Sequence, residues 1–92
     1  MTQILPIDTK GSIRDVFDEI VRERMAQDAE WGGPSHDDTH SNVDWCTYIN
    51  KHNARAANGL HDYRYQMIRI AALAIAAIQA FDRNEGVRES TI

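Results

Sequence analysis

The chain of 92 residues carries 14 acidic and 10 basic side chains, for a net charge of −4, and 42% of its residues are hydrophobic. This length suits one small domain, and the composition is too apolar for an intrinsically disordered protein. Because there is no basic tract and only one cysteine, Cys46, neither charge-driven binding to DNA or membranes nor an intramolecular disulfide is expected, and a cytoplasmic location fits.

A first helix is predicted over residues 12–30. Ser12 is placed to cap its N-terminus, with Asp15 three residues later as in a capping box. Apolar residues then follow at the spacing of one helical face: Ile13, Val16, Phe17, Ile20, Val21 and Met25. The Gly-Gly-Pro run at 32–34 is expected to end the helix, and residues 1–11 are expected to form an N-terminal arm.

The segment WGGPSHDDTHSNVDW, residues 31–45, is predicted to be a long connection between helices. Its favoured interpretation is structural: Trp31 and Trp45 pack on the helical core, and the aspartates accept hydrogen bonds from nearby backbone N–H groups. Contact with a ligand or partner is a second interpretation. A metal site is a third, because imidazole and carboxylate groups bind zinc. The weak metal-ligand candidates are His36, Asp37, Asp38 and His40.

Two further helices are predicted, over residues 42–58 and 62–84. Ser41 and Asp44 repeat the capping pattern at the start of the second helix. The third is apolar nearly all round between positions 67 and 81 and too short in its apolar part to cross a bilayer. The whole chain, 1–92, is therefore expected to be one all-α domain of three helices with a flexible tail at 87–92.

The third predicted helix also bears on the oligomeric state. A helix that is apolar on all sides must be covered on several sides, and two partner helices cannot do this easily. Its six alanines would let a second helical layer approach closely: Ala71, Ala72, Ala74, Ala76, Ala77 and Ala80. A dimer or higher homo-oligomer is expected, and a tight three-helix monomer is the alternative.

Positive charge is concentrated on the last two predicted helices. No Asp or Glu occurs between positions 45 and 61 or between 63 and 81. A solvated surface would explain these cations, but a patch that binds phosphate-like anions is the functional interpretation. Aromatic residues close by could stack on a base. The candidate anion-binding residues are Lys51, Arg55, Arg64 and Arg69, with Trp45 and Tyr48 as stacking residues.

Three segments together carry a family resemblance: RERMAQDAEWGGPSHDD at 22–38, DW at 44–45 and YRYQMIRIAALAIAAIQAFDR at 63–83. They resemble small bacteriophage and prophage proteins of a MazG-like, all-α kind, over about residues 18–83. The resemblance implies a helical scaffold that, in MazG-like enzymes, cleaves nucleoside triphosphates to monophosphate and pyrophosphate. Those enzymes hold Mg²⁺ with an EExxE motif on one helix and an ExxD motif on the next, since Mg²⁺ prefers carboxylate oxygens.

This chain departs from both motifs. The EExxE positions fall at Lys51, His52 and Arg55, and the acidic position of the next helix falls near Tyr65 and Gln66. None of these is a carboxylate. We therefore expect a MazG-like scaffold without catalytic residues, resident metal or cofactor.

The residues and the resemblance together predict a non-catalytic binding protein, and the resemblance implies that it is encoded by a phage and acts in the host cytoplasm. It would sequester a nucleotide-like anion or inhibit a host protein, including a defence protein. The alternative is a nucleoside triphosphate pyrophosphohydrolase whose divalent-metal site has moved to carboxylates of the first helix and the 31–45 connection. A DNA-binding helix-turn-helix protein is disfavoured, because the connection is too long and no helix is dense in Arg, Asn and Gln.

Overall fold

A computed structural model describes residues 12–59 and 62–84. These residues form four helices: α1 (Ile13–Trp31), α2 (Gly33–Asp37), α3 (Asn42–Asn58) and α4 (Tyr63–Arg83). Helices account for 87% of them, and they include no strand. The all-α prediction is confirmed. The N-terminal arm expected at 1–11 and the tail expected at 87–92 lie outside the described residues.

The prediction of three helices is wrong, because α2 is a separate short helix within the predicted connection. Gly32 adopts a left-handed conformation, with φ at 106°, and its N–H donates to the Asp28 carbonyl at 2.9 Å, which ends α1. Pro34 then lies in the first turn of α2. A proline is tolerated there because the first N–H groups of a helix have no partner within it. The Gly-Gly-Pro run at 32–34 therefore ends α1 and begins α2.

The predicted serine caps of α1 and α3 are confirmed, and the full capping box forms at α3. The Ser12 hydroxyl accepts from the Asp15 N–H at 3.2 Å. At α3, the Ser41 hydroxyl accepts from the Asp44 N–H at 3.1 Å, and the Ser41 N–H donates to the Asp44 carboxylate at 2.9 Å. This reciprocal pair satisfies two N–H groups that have no partner inside the helix.

The central element is α4, which packs against α1 on one side and against α3 on another. On the α1 side, a buried cluster joins Ile20 to Ile68 and Ala72. On the α3 side, Trp45 packs against small and medium side chains: Leu73, Ala76 and Ala80. The alanines allow the helix backbones to approach closely, so one tryptophan fills much of the space between α3 and α4.

A third side of α4 is covered by no other described helix. We call it the open face; it consists of Met67, Ile70, Ala74 and Ile78. The first three are half-buried and Ile78 is 60% exposed.

Within the ranges 12–59 and 62–84, none of the helices has the length and apolar character that a membrane span requires.

Candidate functional site

A cleft of about 400 Å³ opens where α2 and its flanking residues meet α3 and α4. Its lining residues include two chemical groups, the first of which we call the aromatic wall. One is aromatic, with Trp31, His36, His40, Trp45 and Tyr48. The other is cationic, with Lys51, Arg55 and Arg69. The remaining lining residues are Asp37, His52 and Leu73. Concave sites with an apolar wall and a few convergent polar groups are the usual form of a ligand pocket.

Five of the six predicted anion-site residues line this cleft, and Arg64 does not. Arg64 lies in the first turn of α4 and forms an ion pair with Glu19 of α1, away from the cleft. The hydrogen bond from Arg64 lowers the pKa of Glu19, and Glu19 raises the pKa of Arg64. Arg69 follows Arg64 by five positions along α4. This spacing turns the two side chains to different sides of the helix.

The cations of the cleft differ in how far they are already satisfied. Arg69 donates to the Tyr65 hydroxyl at 2.8 Å, and its Nε lies 3.9 Å from the Glu23 carboxylate. That Nε is buried and has no hydrogen-bond partner among the residues that the structure describes. Within the described ranges, Lys51 and Arg55 have neither a hydrogen bond nor an ion pair from their side chains. These two side chains are therefore available to an incoming anion.

The aromatic wall is held together by edge-to-face contacts centred on His40. Its ring centroid lies 5.2 Å from Trp45, 5.2 Å from Tyr48 and 4.7 Å from His36, each pair nearly perpendicular. The His36 and His40 Nε2 atoms are 3.1 Å apart, so one ring donates a hydrogen bond to the other. Trp45 is buried, whereas Trp31 is 39% exposed at the rim. The prediction that both tryptophans pack on the helical core is confirmed for Trp45, which belongs to a buried cluster, whereas Trp31 is largely exposed.

His52 also lines the cleft, within the positively charged stretch of α3 for which the sequence predicts anion binding. Its Nδ1 lies 2.7 Å from Gln66 Oε1, and both side chains are buried. Burial lowers the pKa of His52, and the positive charges of Arg69, Arg55 and Lys51 lower it further, against the opposing effect of the Gln66 hydrogen bond. A sequence signal did exist: positions 48, 52 and 55 follow helical spacing, which places them on one face of α3.

The carboxylates proposed as weak metal ligands are occupied by arginines. The buried Asp37 accepts from Arg24 Nη2 at 2.9 Å, and Asp38 accepts from Arg83 Nη2 at 2.7 Å. The hydrogen bond from Arg83 holds the pKa of Asp38 below its usual value. No group of three or more His, Cys, Asp or Glu residues within 12–59 and 62–84 is arranged to hold a metal ion.

The predicted role of these aspartates as acceptors of backbone N–H groups is correct only for Asp44. For Asp37 and Asp38 it is wrong, because their partners are arginines 13 and 45 residues away along the chain. A guanidinium forms stronger, charge-assisted hydrogen bonds than a backbone amide does. Which arginine binds each aspartate depends on how the helices pack. The sequence around the turn does not reveal this.

Comparison of the chain with family models, with curated proteins and with solved structures gives no match. The assignment of a function therefore rests on the chemistry of the cleft.

Proposed function

We propose that this chain is a non-catalytic binding protein that holds a nucleotide-like anion in the cleft. The observation that carries the proposal is that Lys51 and Arg55, which have no ion pair within the described residues, line the same cleft of about 400 Å³ as the aromatic wall. Lysine and arginine bind phosphate oxygens through charge-assisted hydrogen bonds. A nucleobase would stack against the exposed Trp31 or against Tyr48.

Binding without hydrolysis is favoured by the kinds of side chain in the cleft. Mg²⁺-dependent attack on a triphosphate needs several carboxylates to hold the metal. Among the residues of 12–59 and 62–84 that line the cleft, Asp37 is the only carboxylate, and it is already bound by Arg24. The MazG-like scaffold and phage origin belong to this proposal as what the sequence resemblance implies. The proposal also includes a location in the host-cell cytoplasm, action against a host protein and assembly into a homo-oligomer.

The proposal is tested by calorimetric titration of adenosine 5′-monophosphate and adenosine triphosphate into the protein. The double variant Lys51→Ala/Arg55→Ala should bind at least about tenfold more weakly, because it removes the two available cations. Arg64→Ala is the matched control: it removes a cation of α4 that lies outside the cleft and should leave affinity unchanged. Equal losses in both variants would mean that general charge, and not the cleft, binds the ligand.

Hydrolysis is tested on the same preparations. With Mg²⁺ or Mn²⁺ and a nucleoside triphosphate, no pyrophosphate release above background is expected. Sustained release that disappears in Asp37→Asn or Asp38→Asn would favour the alternative function, a pyrophosphohydrolase with a relocated metal site.

A further inference from the structure

His52 presents a hydrogen-bond acceptor to the cleft. The Gln66 Oε1 atom can only accept, so the His52 Nδ1 atom, 2.7 Å away, carries the proton. The neutral imidazole then has no proton on Nε2, which is left with a lone pair. The Nδ1 edge of the ring is bonded to the buried Gln66, so a ligand in the cleft that His52 lines would meet the ring from its other edge, which carries Nε2.

The charges around His52 come from each element that forms the cleft. On its own helix, Lys51 and Arg55 flank it, and α4 contributes Arg69. The acidic groups nearby are already engaged: Glu23 of α1 lies 3.9 Å from Arg69, and Asp37 of α2 is bound to Arg24. An anion in the cleft is therefore drawn toward three cations and brought beside the lone pair of Nε2.

An anionic oxygen and a nitrogen lone pair repel each other unless a proton lies between them. A phosphate monoester, whose second pKa is about 6, can share such a proton near neutral pH. A sulfate or a phosphodiester has no proton to share in this range.

We propose that His52 makes the cleft selective for terminal phosphate groups, with one proton shared between Nε2 and the bound phosphate. This inference rests on the proposed function and adds to it the class of anion: a phosphate monoester or inorganic phosphate is accepted, and sulfate or a phosphodiester is disfavoured. His52 acts as a specificity-determining residue.

The experiment is a nuclear magnetic resonance titration with sodium phosphate and with sodium sulfate at pH 6.5 and constant ionic strength. Sulfate carries the larger charge under these conditions, so charge alone would favour sulfate. The expected result is the reverse: phosphate binds at least about tenfold more tightly, because sulfate leaves the Nε2 acceptor unpaired. The His52 Nε2 resonance should also move toward the protonated form on addition of phosphate, a response that a purely structural histidine would not show.

His52→Asn is the decisive variant, because an asparagine amide can still donate to Gln66 while the acceptor at Nε2 is lost. Phosphate and sulfate should then bind this variant within about twofold of each other. Equal binding of the two anions to the original protein, or an unchanged preference in His52→Asn, would overturn the inference and leave the proposed function intact.

Failure of the proposed function gives a different result. If adenosine 5′-monophosphate, phosphate and sulfate all fail to bind, or if Lys51→Ala/Arg55→Ala binds them as the original protein does, the cleft is not an anion site. The inference about His52 then falls with it.

Discussion

Arg24 is the residue that secures α2 against the rest of the fold. It is buried in α1, donates to the buried Asp37 of α2 at 2.9 Å, and also bonds to Asp28 and to Gln79 of α4. A buried arginine on the inward face of a helix is destabilising unless its charge is paired. Its role is to neutralise a carboxylate that would otherwise be buried without a partner.

Removing this guanidinium should therefore be costly. Arg24→Ala leaves Asp37 buried without a cation, and we expect a loss of about 3–5 kcal/mol in the free energy of unfolding, measured by urea denaturation. Arg14→Ala, at an exposed position of the same helix, should change it by no more than about 0.5 kcal/mol. The double variant Arg24→Met/Asp37→Leu removes both charges and should recover most of the lost stability. Equal stability of Arg24→Ala and the original protein would show that the pair does not hold α2.

The Asp38–Arg83 pair provides a test by pH. The hydrogen bond from Arg83 lowers the pKa of Asp38 below its usual value of 3.8. The carboxylate therefore contributes stability above the unfolded pKa, and that contribution is lost as the pH falls through the lower folded pKa. In Arg83→Ala the pKa of Asp38 should rise toward 3.8, as read from a carboxyl-carbon titration. An Asp38 pKa that is the same with and without Arg83 would contradict the pairing.

At the scale of the elements, the helix ends are predicted well because they depend on residues only a few positions apart. The three long helices begin and end within one residue of the predicted bounds, because Ser12, Ser41 and the glycine at 32 act locally. The helix α2 was not predicted, because five residues are too few to show a helical period. Its position depends on Arg24 and Arg83, whose approach is decided by tertiary packing.

The two tryptophans at the ends of the 31–45 segment should have unequal effects on stability. Trp45 joins α3 to the alanines of α4 and is 7% exposed, whereas Trp31 is 39% exposed. Trp45→Ala should therefore lower the free energy of unfolding by about 3–5 kcal/mol, through lost burial and the cavity left behind. Trp31→Ala should cost clearly less in thermal denaturation and should weaken nucleotide binding, because its ring lines the cleft. A larger destabilisation from Trp31→Ala would contradict this assignment.

At the scale of the whole molecule, the cleft was only partly predictable. The absence of acidic residues between positions 45 and 61 pointed to Lys51 and Arg55. Sequence spacing could not show that Arg64 is taken by Glu19, since the pairing spans 45 residues. Nor could it show that the His36–His40 segment folds over the same space, which follows from the position of α2. The cleft thus combines residues that a local pattern identifies with residues that only the packing brings together.

The open face of α4 lies away from the cleft and carries the last prediction. Its residues Met67, Ile70, Ala74 and Ile78 recur at helical spacing, and α1 presents the exposed Phe17 and Val21 on the side opposite Glu19 and Glu23. Exposed apolar side chains that recur along helix faces in this way are typical of interaction sites. We expect a second copy of the chain to pack there, because the small Ala74 at its centre lets two helices approach closely.

Ala74→Glu should therefore convert the assembly to monomers, since a second copy would bury an unpaired carboxylate. Sedimentation velocity gives the mass, and circular dichroism should show that the monomer keeps its helices. Ala57→Glu, at an exposed position of α3, is the matched control and should leave the assembly unchanged. Ala77 is a poorer choice, because it packs against the Trp45 cluster within one chain, so a charge there would disturb the fold itself. If the original protein sediments as a monomer, or if Ala74→Glu keeps the mass of the original assembly, the open face is not where copies of this chain meet.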